Sequence, residues 1–462
     1  MHTHRSISFS PPDISQAELD AVVDALKSGW ITTGPRTKQF ENELAAFFTT
    51  PKVAALNSCT AALECALRVL GIGAGDEVIT SAYTYTATAA AICHVGATPI
   101  LCDVAANSYE MNYDALPALI TPRTKAVIPV DIAGVMIDYD RLFDCLAAES
   151  TQWTPANDMQ AHIGRIAVIA DGAHSCGAAR AGRMSGSVAD LTALSFHAVK
   201  NLTTGEGGAL TWRAGLFDDE ALYNEIMLLS LHGQTKDALH KNQAGAWEYD
   251  IMFPGWKCNM PEMAAALGRA QLKRYPTLLA RRRSLVARYE TNFAHAGFDA
   301  SELHLVRHYA LGTPTPDASK AATARNATTA PDASDTPNTV RYLSAEEAFD
   351  LREREAHAAD GFASSGHLML CRFMGMSREF CNELIMRCAQ AGIACNVHYK
   401  PLPLLTAYKN LGFTCDNYPN AYAQYENEIT LPLHTLLSDD DVDYICDVVS
   451  NSYRTMKREG LR

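Results

Sequence analysis

Several features that mark special protein classes are missing from this chain. Its 462 residues contain no Cys-x-x-Cys pair, although thirteen cysteines are scattered from Cys59 to Cys446. An odd count without metal-type spacing indicates neither a zinc site nor a disulfide framework, so reduced thiols in a cytoplasmic protein are expected. No apolar run reaches the roughly 18 uninterrupted residues of a membrane span; the richest stretch, 87–101, is broken by His94, Gly96 and Pro99. Residues 1–12 carry no apolar h-region, so no secretory leader is expected. Basic residues are in deficit, with 39 Lys and Arg against 52 Asp and Glu and a net charge of −13. Binding a nucleic-acid polymer needs the opposite, a basic footprint. A local pocket for a single phosphate group remains compatible with the balance. What is left is ordinary globular composition, 48% hydrophobic and 20% charged, and the expectation of a cytoplasmic enzyme.

What is present reads as alternating helices and short buried strands. Helical spacing of apolar residues covers 14–28 and stops before Gly29; 60–70 is a compact apolar helix stopped by Gly71 and Gly73; 86–94 is alanine-rich and helical. Strands are expected at 76–80, 98–103, 125–130 and 166–171. Short runs buried on both faces and separated by helices indicate a parallel sheet. Ligands of such sheets sit at the carboxyl ends of the strands, here after Val130 and after Ala170. Length predicts two or three domains, or one large α/β domain with a smaller partner; the expected division is a large domain over 1–268 and a smaller C-terminal α+β domain over 269–462. Residues 312–339 hold seven Thr, seven Ala and four Pro with no Leu, Ile, Val, Met or aromatic residue. Such a segment cannot bury a core and reads as a flexible linker. Residues 149–162 read as a milder polar insertion. Beyond the linker, HLMLCRF, a helix around 378–391 and ACNVHYKPLPLL resume the strand and helix pattern.

Three segments carry chemistry. In Asn57-Ser58-Cys59-Thr60 small polar residues lead into an apolar helix, whose free N–H groups and positive dipole end suit a phosphate; an ordinary N-cap explains the same residues. In Ile169-Ala170-Asp171-Gly172-Ala173-His174 an acid ends a buried strand and needs a cationic or hydrogen-bonding partner. Too few ligands lie nearby for a metal, and a protonated ring nitrogen of a bound cofactor is the more economical partner. In the segment 195–210, SFHAVKNLTTGEGGAL, Lys200 stands among apolar and small residues. If buried there its pKa is depressed, which makes a lysine a nucleophile toward carbonyls. Gly205, Gly207 and Gly208 allow tight turns into the following strand.

Together these segments resemble the nucleotide-sugar aminotransferases of the DegT/DnrJ/StrS type, pyridoxal-phosphate enzymes of the aspartate-aminotransferase fold (fold type I). The likeness begins with Gly29-Trp30-Ile31-Thr32-Thr33-Gly34-Pro35 and Phe40-Glu41. It runs through 57–80, Tyr85-Thr86-Ala87-Thr88, ADGAHSCGA, 195–210, GWKCNMPEMAAALGRAQL and VHYKPLPLL, and ends in 418–445. The resemblance implies an α/β fold with a mostly parallel sheet and a smaller C-terminal domain. It implies that Lys200 carries the cofactor and moves the proton, and that Asp171 pairs with the pyridine nitrogen. His174 would reach the ring hydroxyl and Tyr85 would stack on the ring. Cys59, Thr60 and Ser195 would hold the phosphate. Family sites lie at a homodimer interface, where Lys257 and Asn259 would visit the partner's phosphate cradle. His398 and Lys400 are candidates to meet the sugar or its diphosphate. The implied reaction moves an amino group from an amino acid such as glutamate to a nucleotide-linked keto sugar, with no metal, nucleic acid or membrane partner.

The chain departs from the family at some positions. Cys59 stands where glycine is common, which implies ordinary backbone geometry there; Gly255-Trp256-Lys257-Cys258-Asn259 replaces a Gly-Tyr-Asn-Tyr-Arg pattern; the linker at 312–339 is additional. Other readings stay open. One is a non-catalytic cofactor-binding sensor, which has little need of Lys200, Asp171, Thr60 and Ser195 together. Another is a dehydratase-type relative, in which histidine replaces the lysine. A third is a lyase of sulfur amino acids, which the sugar-branch segments GWITTGP and VHYKPL oppose.

Overall fold

The computed structural model describes residues 5–149, 153–235, 248–310 and 361–462. The expected linker at 312–339 lies outside the described residues.

Nine strands come from the first half of the chain: β1 Val53–Leu56, β2 Glu77–Ser81, β3 Thr98–Cys102, β4 Thr124–Ile128, β5 Ala167–Asp171, β6 Ala179–Arg180, β7 Arg183–Met184, β8 Leu191–Ser195 and β9 Gly208–Trp212. Seven form one sheet in the order β1-β9-β8-β5-β4-β2-β3. Pairings from β8 through β3 are parallel, and β9 runs antiparallel to both its neighbours. The sheet is therefore mostly parallel, and β1, β2, β4, β5, β8 and β9 are buried throughout. Burial on both faces is why these strands read as continuous apolar runs rather than alternating ones.

The helix Cys59–Val69 packs on this sheet with Ala62, Leu63, Ala66 and Leu67 buried. Ser58 caps it, its Oγ accepting from the Ala61 N–H at 3.1 Å, and Gly71 ends it with φ +69°, a conformation open to glycine without a Cβ penalty. The segment read as a polar insertion before β5 does structural work at this end. It contains a short helix, Asp158–Ile163, and the Asn157 Nδ2 and Gln160 Nε2 both donate to the Leu70 carbonyl, at 2.9 and 2.8 Å. They satisfy a carbonyl at the end of helix 59–69 that has no intrahelical partner.

The five remaining strands are β10 Leu303–Leu305, β11 Tyr309–Ala310, β12 Phe362–Ala363, β13 Met369–Phe373 and β14 Glu428–Leu431. β10-β13-β14 form a small antiparallel sheet. It is covered by the helices Arg378–Gln390 and Asp439–Arg458, with Leu384, Ile445, Val449 and Tyr453 in one core. A capping box of Ser438 and Asp441, acids in the first turn and Lys457 and Arg458 in the last suit the dipole of the second helix. A second small sheet pairs β11 and β12 with β6 and β7, so the described ends on either side of 311–360 lie next to each other. The 34-residue helix Glu262–His295 joins the two halves. Ala265, Tyr275 and Leu278 enter a core of the large sheet, and Leu285, Val286, Tyr289 and Phe293 enter that of the small one. A boundary at 268 falls inside this helix. Pro276 is tolerated within it because burial at both ends offsets the roughly 3 kcal/mol that an interior proline costs.

Candidate active site

The site is built where β4, β5 and β8 end. Lys200 lies in the turn leaving β8, its backbone N–H donating to the His197 carbonyl at 2.8 Å, and its side chain is half-buried. Burial lowers its pKa to about 8 against the opposing pull of Cys59 and Asp171. A good part of the amine is thus neutral near physiological pH, which an exposed lysine does not achieve.

Asp171, the last residue of β5, is 6% exposed. The Thr88 hydroxyl donates to it at 2.7 Å, the Ala173 N–H at 3.2 Å and the Cys59 thiol at 3.9 Å. Burial raises its pKa, with these donors and Lys200 opposing. No salt bridge involves it among the described residues, so this buried carboxylate is short of a cation. Asp131, beyond β4, offers a contrast. Its carboxylate accepts from the Ser175 hydroxyl at 2.7 Å, the Ile137 N–H at 3.0 Å and the Tyr139 hydroxyl at 3.1 Å, and burial pushes its pKa up to about 7.

His174 is buried beside them. Its Nε2 lies 3.1 Å from the Tyr399 hydroxyl, its Nδ1 has no partner, and its ring lies 4.3 Å from that of His367. Burial first, and then Lys200, push its pKa well down, so the ring is neutral. His367 is held through Nδ1 by the Asn201 Oδ1 at 2.8 Å.

At the other end of the site, helix 59–69 presents the amides of Cys59 and Thr60, which have no intrahelical acceptor. Cys59 is the first helical residue, as the ordinary backbone geometry expected there requires. Gly208 lets β9 come this close, since a Cβ on it would stand 2.3 Å from the Ser58 carbonyl carbon. Of the three glycines expected to make turns, Gly205 alone has a left-handed φ, +80°. Ser195 ends β8 opposite Gly208 and its Oγ accepts from the His197 N–H at 3.4 Å.

The profile of the DegT/DnrJ/EryC1/StrS aminotransferase family matches residues 12–311 and 345–450. The chain belongs to this aminotransferase family. It is 34% identical to the spore coat polysaccharide biosynthesis protein SpsC of Bacillus subtilis over 447 residues, 96% of each chain. Spr1654 of Streptococcus pneumoniae, assigned as a sugar aminotransferase, superposes in its pyridoxamine-phosphate form with a TM-score of 0.83 at 46% identity, over 99% of this chain and 100% of that one. Its pyridoxal-phosphate form superposes with a TM-score of 0.82, over 98% and 99%. The fold is therefore that of the pyridoxal-phosphate-dependent sugar aminotransferases, and the cofactor is pyridoxal phosphate.

The residues present fit that group. A cation-seeking buried carboxylate, an orphaned imidazole nitrogen, a lysine of lowered pKa and free helix-start amides suit a ring nitrogen, a ring hydroxyl, an aldehyde and a phosphate respectively. Tyr85 begins the helix Thr86–His94 and is 60% exposed, its ring 5.9 Å from that of Tyr399. Lys257 donates to Asn259, and Asn259 to Thr33; this pair stands on the rim, where the Asn57 N–H donates to the Cys258 carbonyl at 2.8 Å. Lys400 is exposed. Burial first, and then the charge of Lys200, disfavour a proton on the His398 ring.

Sequence reasoning missed Thr88, Tyr399, His367 and Asn201. Thr88 was visible as the residue one turn after Tyr85. His367 gives no local signal, because a histidine opening an apolar strand reads as core.

Proposed function

We propose that this aminotransferase moves an amino group from glutamate to a keto sugar linked to a nucleoside diphosphate, acting as a homodimer in the cytoplasm. The observation that carries the reading is the half-buried Lys200 with its pKa lowered to about 8, within electrostatic reach of Asp171. Pyridoxal phosphate supplies an electron sink when bound. Lys200 would serve as the base whose Nζ takes the α-proton of the donor amino acid and holds it for return during the transfer. Asp171, oriented by Thr88, holds the ring nitrogen protonated. His174 meets the ring hydroxyl through its free Nδ1. Cys59 and Thr60, through their amides, and Ser195, through its hydroxyl, hold the phosphate, and Tyr85 covers the ring. Lys257 and Asn259 complete the partner's cradle, and His398 and Lys400 meet the sugar nucleotide. Thirteen free cysteines are consistent with a reducing compartment.

Addition of glutamate to the holoenzyme is expected to convert the absorbance of the pyridoxal form to that of the pyridoxamine form. A panel of keto-sugar nucleotides then restores it. No conversion with any amino donor overturns the proposal, and normal turnover by Lys200→Ala removes Lys200 from the role of base.

A further inference from the structure

His398 is held on three sides. Its N–H donates to the Glu428 Oε2 at 3.1 Å, its carbonyl accepts from the Tyr83 hydroxyl at 2.8 Å, and its ring stacks on Phe9 with centroids 5.5 Å apart. The ring Nδ1 lies 2.9 Å from the Thr430 Oγ1, and that hydroxyl lies 2.5 Å from the Glu428 Oε1. Nε2 is the ring's one polar atom without a protein partner among the described residues.

Glu428 begins β14 and is fully buried. Arg372 stands opposite it on β13, but its guanidinium is engaged by Asn427, Asn107 and the Ala423 carbonyl. Arg378 donates to the carbonyls of Tyr425 and Glu428 rather than to the carboxylate. Tyr83, Tyr109, Tyr399, Cys371, Cys381 and Cys395 are the other titratable groups that feel its charge.

A hydroxyl between two such groups can donate to only one of them. If Oε1 is an ionised acceptor, Thr430 donates to it and must accept from His398, which puts the ring proton on Nδ1. If Oε1 carries a proton, Glu428 donates to Thr430, Thr430 donates to Nδ1, and the ring proton moves to Nε2. We infer that Glu428 and Thr430 form a relay that selects the tautomer of His398 and thereby makes Nε2 either a donor or an acceptor. Both are positioning residues, because they act through His398. Burial pushes the Glu428 carboxyl up to about 8 and holds the His398 ring neutral, at about 3, so the relay switches while the ring stays uncharged. As a donor, Nε2 suits a carbonyl or phosphate oxygen of the substrate; as an acceptor, it suits a sugar hydroxyl. That consequence rests on His398 facing the sugar nucleotide, whereas the tautomer does not.

The test is nitrogen-15 NMR of histidine-labelled holoenzyme, with the His398 signals assigned by their loss in His398→Gln. Wild type is expected to hold its proton on Nε2 at pH 6 and on Nδ1 at pH 9.5. Glu428→Gln is expected to keep it on Nε2 at both: the Gln carbonyl must serve the His398 N–H, so its amide donates to Thr430 as a protonated carboxyl does. Thr430→Val is expected to abolish the pH response. A wild-type tautomer that is the same at both pH values overturns the relay, as does a Glu428→Gln response equal to that of wild type. If a variant does not retain cofactor absorbance, the wild-type comparison decides by itself. None of these outcomes depends on turnover, so failure of the relay is separate from failure of the proposed reaction.

Discussion

Asp171 and Glu428 carry the same functional group in similar surroundings, and the differences between them show how each half of the molecule is used. Both are buried carboxyl groups at the end of a sheet strand, and each is hydrogen-bonded to a threonine hydroxyl, Thr88 at 2.7 Å and Thr430 at 2.5 Å. Both have pKa values raised by burial. Asp171 faces a lysine amine and keeps capacity for a cationic ligand. Glu428 spends its oxygens on Thr430 and the backbone of His398, inside the small domain. The first carboxylate has bonding capacity left for the cofactor that we propose it serves; the second is spent within an internal network. Burial alone does not distinguish a binding group from a structural one; unfilled bonding capacity does.

Three measurements break or sharpen this contrast. The largest effect is expected for Asp171→Asn, which keeps the shape and removes the charge. Turnover should fall roughly 10²–10³-fold, the range seen when one electrostatic stabiliser is removed, while the variant still folds. Activity near wild type dissolves the distinction between the two carboxylates.

The second effect is a pH dependence of stability. Glu428 has a folded pKa of about 8, above its ordinary 4.5. Its contribution is fully present below pH 4.5 and is lost as pH rises through 8, because the folded state resists ionisation that the unfolded chain allows. Between pH 6 and 9 wild type should lose about 2.7 kcal/mol more than Glu428→Gln, as read by urea denaturation. Other buried acids titrate in both proteins and cancel in the difference, so parallel curves refute the raised pKa.

The smallest effect is expected for Thr88→Val, which removes one donor from Asp171. A loss of about 1 kcal/mol, equivalent to about fivefold in kcat, follows from one hydrogen bond. A loss as large as that of Asp171→Asn means that Thr88 does more than orient the carboxylate.

Much of the candidate site was legible because its signals are local. An acid closing an apolar run, small polar residues opening a helix, and a lysine surrounded by small and apolar residues each fit within a few positions, and the chain order of these segments carried the family likeness. The same holds for the parallel sheet, since strands buried on both faces leave continuous apolar runs. The antiparallel entry of β9 left no mark, because burial on both faces looks the same in either direction. The polar stretch before β5 read as an insertion, since the sequence does not show that Asn157 and Gln160 bond the Leu70 carbonyl.

By itself, then, the sequence determined the family and its cofactor, and it singled out Lys200 and Asp171 as the residues proposed to serve it. Those assignments follow from backbone geometry and residue type over short spans. Only the tertiary structure decided which neutral groups tune them. Thr88 reaches Asp171 across 83 positions, His367 reaches Asn201 across 166, and Glu428 meets His398 across 30. Such hydrogen bonds depend on side chains brought within about 3 Å by packing, and nothing in the spacing of residues along a chain encodes that approach.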